Sequence, residues 1–263
     1  MVAATVIWWI FRPAPAPPIS LREEFARRQT QAERNQLYAG APRWTGPGSG
    51  PVLLRNQAYA VGYSDERENP LWVGYRLDRI TASQHGKRPS RFAVDRRTRA
   101  LTSPDEYTRT GFDRGHLAPS FNIGSRFGPD AQLETFLMSN IVPQKPNLNR
   151  KLWKRLEELE SEYANRFEQI WVFTGPVFDH RRQLLEGGVE IPDFLYKILV
   201  DEDGDRIRML PFLLPQEVRG NEPLSQYLTT VDEIERQTGL DFFWALSDPN
   251  EDHLEAFRPT RLW

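Results

Sequence analysis

An α+β fold is what this sequence predicts, and three observations carry the prediction. Short apolar runs of strand character recur through the chain, two segments carry helical spacing, and the two kinds alternate without a regular βαβ rhythm. Tyr59-Ala60-Val61-Gly62-Tyr63 and Leu71-Trp72-Val73-Gly74-Tyr75-Arg76-Leu77 read as strands, rich in β-branched and aromatic residues. Ile170 to Thr174 (IWVFT) is a buried strand that Gly175-Pro176 should end. Tyr196 to Val200 and Arg206 to Leu210 form a hairpin around Asp201-Glu202-Asp203-Gly204-Asp205. The clearest helix begins near Asn149 and places Leu152, Leu156, Leu159 and Tyr163 on one face. A second starts at the capping box Thr230-x-x-Glu233, runs through Ile234 and stops at Gly239.

Ahead of these lies a different kind of chain. Val2 to Phe11 is apolar apart from Thr5, and a Pro-rich stretch, Pro13 to Pro18, follows Arg12. A run of this length is shorter than the roughly 20 residues that span a bilayer. It suits the apolar region of an export signal, although no basic segment precedes it and no small-x-small cleavage site follows. Export or membrane anchoring is favoured over a cytoplasmic location, with a tail docked on its own domain as the competing reading. Residues 19–37 read as a charged helix that Ser20 caps, with Glu23 three residues on. Gly40-Ala41-Pro42 and Gly46 to Pro51 read as a linker. The domain boundary is therefore placed near residue 50, with an N-terminal region over 1–50 and the main domain over 51–263.

With 263 residues, 39% of them apolar, the chain can bury a sizeable core. Eight Trp, eight Tyr and fifteen Phe exclude a disordered chain. There is no cysteine, which excludes disulfides and Cys-ligated zinc and leaves the redox compartment open. The net charge is −2, so any nucleic-acid partner must be met by a local concentration of basic side chains. Lys87 to Arg99 is the most basic window: Lys87, Arg88, Arg91, Arg96, Arg97 and Arg99 stand against Asp95 alone. A charge run is usually a solvated face; this one precedes the motif described next, which makes Arg88, Arg96 and Arg97 candidates for the phosphate backbone.

That motif is Asp113-Arg114-Gly115-His116. An imidazole can take a proton near neutral pH, and a guanidinium matches the fork geometry of a phosphate. Together they suit phosphodiester hydrolysis, with His116 as general base and Arg114 holding the scissile phosphate or the product. Asp113 would organise metal-bound water or the local loop. His85, His180 and His253 lie in polar contexts and are taken as surface groups.

The motif does not stand alone. Asp113 to Pro119 is followed by Leu137-Met138-Ser139-Asn140-Ile141-Val142-Pro143-Gln144, then by Leu148-Asn149 and Trp153 through Glu157. In this order and spacing the segments closely resemble the DNA/RNA non-specific endonucleases, the sugar-non-specific nucleases of the ββα-metal superfamily. The resemblance covers about residues 52–250, including Thr230 to Glu235. It implies a central antiparallel sheet flanked by helices, with a ββα element across the site. It further implies that Asn149 is the single direct protein ligand of a Mg²⁺ ion (Mn²⁺ being admissible), a role its hard, neutral carboxamide oxygen suits. Taken alone, an Asn at a helix start is more often an N-cap.

The same resemblance makes Asn140 part of the catalytic pattern and gives Glu157 a supporting role on the metal-bound water. Glu157 lies about 12 Å along the helix from Asn149 at ~1.5 Å per residue; the competing reading is a solvated glutamate on a charged helix. Arg91, in Ser90-Arg91-Phe92, takes the position of an arginine that stabilises charge on the phosphate, with Arg88 a competitor. The expected substrates are DNA and RNA and the expected products carry 5′-phosphate ends. Two alternatives stay open: a catalytically weak nucleic-acid-binding module, and a secreted effector or toxin nuclease neutralised by a protein inhibitor. Oligomeric state is not legible.

Overall fold

The computed structural model describes residues 36–178, 181–204 and 206–263. The apolar N-terminal run, the Pro-rich stretch, nearly all of the 19–37 helix, His180 and Asp205 lie outside them. Within the described residues the framework is a six-stranded antiparallel sheet with strand order β2-β3-β4-β7-β8-β9. The strands are β2 (Val52–Arg55), β3 (Tyr59–Ser64), β4 (Asn69–Asp78), β7 (Gln169–Val177), β8 (Phe194–Asp203) and β9 (Arg206–Pro215). Two short pairs stand apart: β1 (Arg43–Trp44) with β10 (Leu240–Asp241), and β5 (Asp113–His116) with β6 (Ile141–Gln144). Helices α1 (Ser120–Glu134), α2 (Lys154–Arg166), α3 (Val231–Thr238) and α4 (Asp248–Ala256) surround the sheet.

Both faces of the central strands are buried, which is why they read as continuous apolar runs rather than as alternating ones. Tyr59, Val61, Val73, Tyr75, Val172 and Leu199 point to one face and pack with Trp153 and Leu156 of the helical segment behind the site. Their neighbours Ala60, Trp72, Trp171, Phe173, Tyr196 and Ile198 point to the other, against Ile234 of α3 and Phe242. The site thus sits on one layer of a three-layer molecule, and α3 and α4 lie on the opposite side.

Three sequence expectations need correction. The strand from Ile170 does not end at Gly175-Pro176; it continues to Val177, because Gly175 and Pro176 pair with Tyr196 and Leu195 of β8. Packing begins before residue 50: Leu37, Tyr38 and Ala39 are buried in the second core, and Trp44 pairs with Leu240. Two of the glycines taken for a linker, Gly46 and Gly50, lie against the Trp44 side chain, which a Cβ at Gly46 would approach to 2.5 Å. Breaker residues here serve close packing rather than separation. At Thr230 the N-cap forms, its hydroxyl accepting from the Glu233 N–H at 3.0 Å, but the reciprocal arm does not. The Glu233 carboxylate is occupied by Arg236 and Gln237 instead. Gly239 ends the helix in the left-handed conformation, φ 68°, as expected of a C-terminal glycine.

Candidate active site

β5 and β6 form a two-stranded ribbon in which Asp113 faces Gln144 and His116 faces Ile141. The chain after β6 enters a π turn over Leu148–Trp153 that runs directly into α2. Ribbon plus helix make the ββα element. The periodicity of Leu152, Leu156 and Tyr163 placed the helix, and all three are buried. The wider first turn was not legible, since a π turn shares the apolar spacing of an α-helix at its ends and often marks functional positions. Gly115 is required by close approach: a Cβ there would lie 2.3 Å from the Gln144 amide.

Successive residues of β5 point to opposite faces, which divides the motif. On one face the Asp113 carboxylate accepts from Asn149 Nδ2 at 2.9 Å and from Arg150 Nε and Nη2 at 2.8 and 2.6 Å. Burial pushes its pKa upward, but those hydrogen bonds and the Arg150 charge win and hold it below the ordinary carboxylate value. Asn149 commits its amide N–H to Asp113, which leaves its carbonyl oxygen uncommitted among the described residues. That is the arrangement a hard cation requires of a neutral ligand. Arg150 was missed in the sequence, where it is one more cation on a charged helix; only the fold shows its fork closed on Asp113.

On the other face is His116. Its ring packs edge-on against Phe136, with centroids 4.9 Å apart, and tilted against Phe92 at 5.4 Å. Nε2 is buried and has no hydrogen-bond partner among the described residues. Burial, helped by the charge of Arg88, lowers the pKa to about 3, so the imidazole is neutral across the whole working range. The expectation of a group titrating near neutrality does not hold for this environment. The backbone around the ring is pinned: Trp153 Nε1 donates to the His116 carbonyl at 3.2 Å, and Leu117 N donates to Asn140 O at 3.1 Å.

Glu157, half-buried on α2, lines an open cleft of about 550 Å³ with Pro119, Phe121, Asn122 and Lys154. Burial is the main cause of a pKa raised to about 8, with Glu160 adding to it and Lys197 and Arg88 opposing. It is therefore not the freely solvated glutamate of the competing reading. Behind it a buried network braces α2 on the sheet: Lys197 Nζ lies 2.5 Å from Glu160 Oε2, and Tyr75 and Asn122 also donate to Glu160.

Three expected site residues are committed elsewhere. Asn140 is fully buried; its carbonyl accepts from Ala118 N at 2.9 Å and its amide donates to Ala118 O and Thr135 O. Three of its four hydrogen-bonding positions are thus consumed by the backbone, two of them by Ala118 in the loop after His116. Arg114 donates through Nε and Nη2 to Pro104 O, and Nη2 also reaches Thr108 Oγ1 at 3.1 Å. Its fork closes on a backbone carbonyl instead of presenting toward a phosphate. Arg97 forms a bidentate pair with buried Asp95 and reaches Arg55 O and Asn56 Oδ1. It fastens the basic strip to the sheet, helped by Ser139 Oγ at 2.6 Å from Asp95. Arg99 is likewise paired, with Asp65.

The rest of the strip differs. Arg88 stacks over Phe136, 5.2 Å from the ring centroid, and so stands beside the His116 pocket. Arg91 and Arg96 are exposed, with no ion pair among the described residues. His85 and His253 are exposed as expected.

A family model for DNA/RNA non-specific endonucleases matches residues 41–248. The chain belongs to this family of hydrolytic endonucleases. Among its relatives, mitochondrial endonuclease G of Bos taurus is 30% identical, over 91% of this chain and 88% of its own length. A nuclease of Nostoc sp. is 29% identical, over 78% of this chain and 77% of its own. Mitochondrial nuclease EXOG of Mus musculus is 29% identical over 84% of this chain, which spans only 64% of that protein. The fold agrees with EndoG as seen in its crystal structure with EndoGI: the TM-score is 0.72 at 22% identity, covering 84% of this chain and 94% of that one. The family match beginning at residue 41 accords with the packing of Trp44 into the endonuclease domain.

Proposed function

We propose that this endonuclease hydrolyses phosphodiester bonds of both DNA and RNA in a Mg²⁺-dependent reaction that leaves 5′-phosphate and 3′-hydroxyl ends. The observation that carries the reading is the division of labour across one four-residue strand. Asp113 holds the Asn149 N–H and leaves its carbonyl oxygen uncommitted, and His116 keeps a ring nitrogen without a hydrogen-bond partner, both among the described residues. Asn149 would hold the cation, with Glu157 acting on its water shell. When bound, the ion polarises a phosphate oxygen and stabilises the leaving oxygen.

His116 takes the proton from the attacking water. A buried imidazolium beside Arg88 is costly, so the base works only once a phosphate brings compensating negative charge. Proton uptake is thereby coupled to substrate binding, and Phe92 and Phe136 keep the ring fixed while it happens. Arg88 and Arg91 offset charge on the phosphate; Arg96 contacts the backbone further out. None of these groups reads a base edge or a 2′-hydroxyl, which supports cleavage with little sequence or sugar preference.

Digestion of plasmid DNA and total RNA with Mg²⁺, and with EDTA, tests this directly. Scattered cuts with 5′-phosphate ends on both substrates are expected. Cuts confined to one short sequence, or RNA-only cleavage to 2′,3′-cyclic ends, would overturn it. EndoG was crystallised with EndoGI, which supports proposing a protein inhibitor for this chain as well; co-purification of a stoichiometric partner that abolishes cleavage checks it. Residues 1–18 are proposed to direct export or anchoring, to be checked by fractionating cells that carry the chain with and without them.

A further inference from the structure

On the face of the sheet away from the active site, α3 and α4 bring three carboxylates together. Asp232 and Glu235 come from α3 and Glu255 from α4, and a ligand oxygen from each lies within 4.8 Å of the others. Two of the side chains are hard to account for as ordinary surface charge. Glu255 is only 6% exposed, and its Oε1 is buried without a hydrogen-bond partner among the described residues. Glu235 gives Oε1 to the Phe242 N–H at 2.6 Å, which fixes the carboxylate while its second oxygen stays uncommitted. No arginine or lysine pairs with any of the three among the described residues. The charges that act on Glu255 are all of its own sign: Glu235, Glu251, Asp232 and Asp241.

Orphaned buried oxygens and uncompensated like charge are both costly, and one ligand relieves both. We propose that Asp232, Glu235 and Glu255 form a structural site for a hard divalent cation of the Ca²⁺ type, which ties α4 to α3. The donors are all oxygen, which disfavours zinc and copper. Three carboxylate oxygens within 4.8 Å of one another can share one hard cation, and an irregular set of this kind suits the flexible shell of Ca²⁺ better than the strict octahedron of Mg²⁺. Exposed Asp232 leaves one side open for water to complete the shell. The site shares no residue with the proposed catalytic centre and does not depend on that reading.

The test uses the full chain carrying Asn149→Ala, so that the proposed catalytic ligand is already absent. Titration with CaCl₂, followed by calorimetry and thermal melting, should give one binding event and raise Tm by several degrees. Adding Glu255→Gln, which keeps the shape and removes the charge, should abolish the shift and raise the metal-free Tm. Asp232→Asn, at an exposed position that the fold does not rest on, should weaken Ca²⁺ binding by at least about tenfold, and decides the matter if the Gln variant does not fold. No heat and no shift at millimolar Ca²⁺, or a shift unaltered by both substitutions, would refute the site.

Discussion

Asn140 and Asn149 flank the same short strand, β6, and face opposite fates. Around Asn140 every polar group is turned inward: its amide to Ala118 and Thr135, Ser139 to Asp95, Asp95 to Arg97. Around Asn149 the bonding is incomplete, with the N–H held by Asp113 and the oxygen left over. One end builds a rigid floor and the other presents unused capacity to a ligand. Residue type does not distinguish them, since both are asparagines in the same family pattern. What matters is how many of the four hydrogen-bonding positions of the amide the fold consumes.

The largest effect should come from the open side. Asn149→Ala and His116→Ala should each lower kcat by about 10²–10⁴-fold, far beyond any loss of folded protein; the His116 variant, which empties a ring packed between Phe92 and Phe136, should also lose some thermal stability. Mg²⁺ affinity measured by calorimetry should fall only for the Asn149 variant. Unchanged Mg²⁺ binding in Asn149→Ala would remove the ligand assignment and, with it, the contrast between the two asparagines.

Asn140→Ala should act on the other axis. It orphans Ala118 N, Ala118 O and Thr135 O in a fully buried place, at ~1–3 kcal/mol per group, so denaturant titration should show a loss of about 3 kcal/mol or more. Residual activity should track the folded fraction. A variant that stays fully folded yet inactive would mean that Asn140 reaches the reaction after all.

A smaller division runs through the basic strip. Arg97→Ala strands buried Asp95, but Arg97 is 39% exposed, which screens the pair; a stability loss of about 2 kcal/mol is expected. Its effect on the salt dependence of DNA binding should be slight. Arg88→Ala with Arg91→Ala should reverse that pattern, leaving Tm in place and reducing the log–log salt slope by about 0.9 per lost phosphate contact. An equal slope change in both variants would show the two halves of the strip to be equivalent.

A last effect is a pH trend. Glu157 is raised from an ordinary 4.5 to about 8, so the folded state favours the protonated form. Its contribution to stability is present in full below pH 4.5 and is lost as pH climbs toward 8. Asp113 is shifted the other way, and its contribution is lost as pH falls below the usual carboxylate range. Glu157→Gln should flatten the decline of Tm between pH 4.5 and 8; a decline of unchanged slope would assign it to other groups.

Much of this was readable in the chain itself. Strands β3, β4, β7, β8 and β9, the helix carrying Leu152 and Leu156, and the segment from Asp113 to His116 follow from period and motif, whereas β2, α1 and α4 were not read. Whether a polar group is free depends on partners far away in sequence, and there the reading ran out. Arg114 and Arg97 look available until Pro104 and Asp95 are seen beneath them, and Arg150 looks incidental until Asp113 is placed opposite. The pKa of His116 could not be anticipated either, because Phe92 and Phe136 reach the ring from 24 residues upstream and 20 downstream. The glycines before residue 50 misled for the same reason, their purpose being set by Trp44 and not by their own flexibility.

The ribbon of β5 and β6 has a consequence for how this nuclease comes to life. Four residues a side cannot hold together unaided in water, so the strand bearing His116 keeps its shape only through Trp153, Asn140 and the large sheet behind them. Cleavage competence should then depend on packing that the ribbon does not itself supply, and hydrogen exchange at Gly115 and Val142 should report the opening free energy that governs loss of activity.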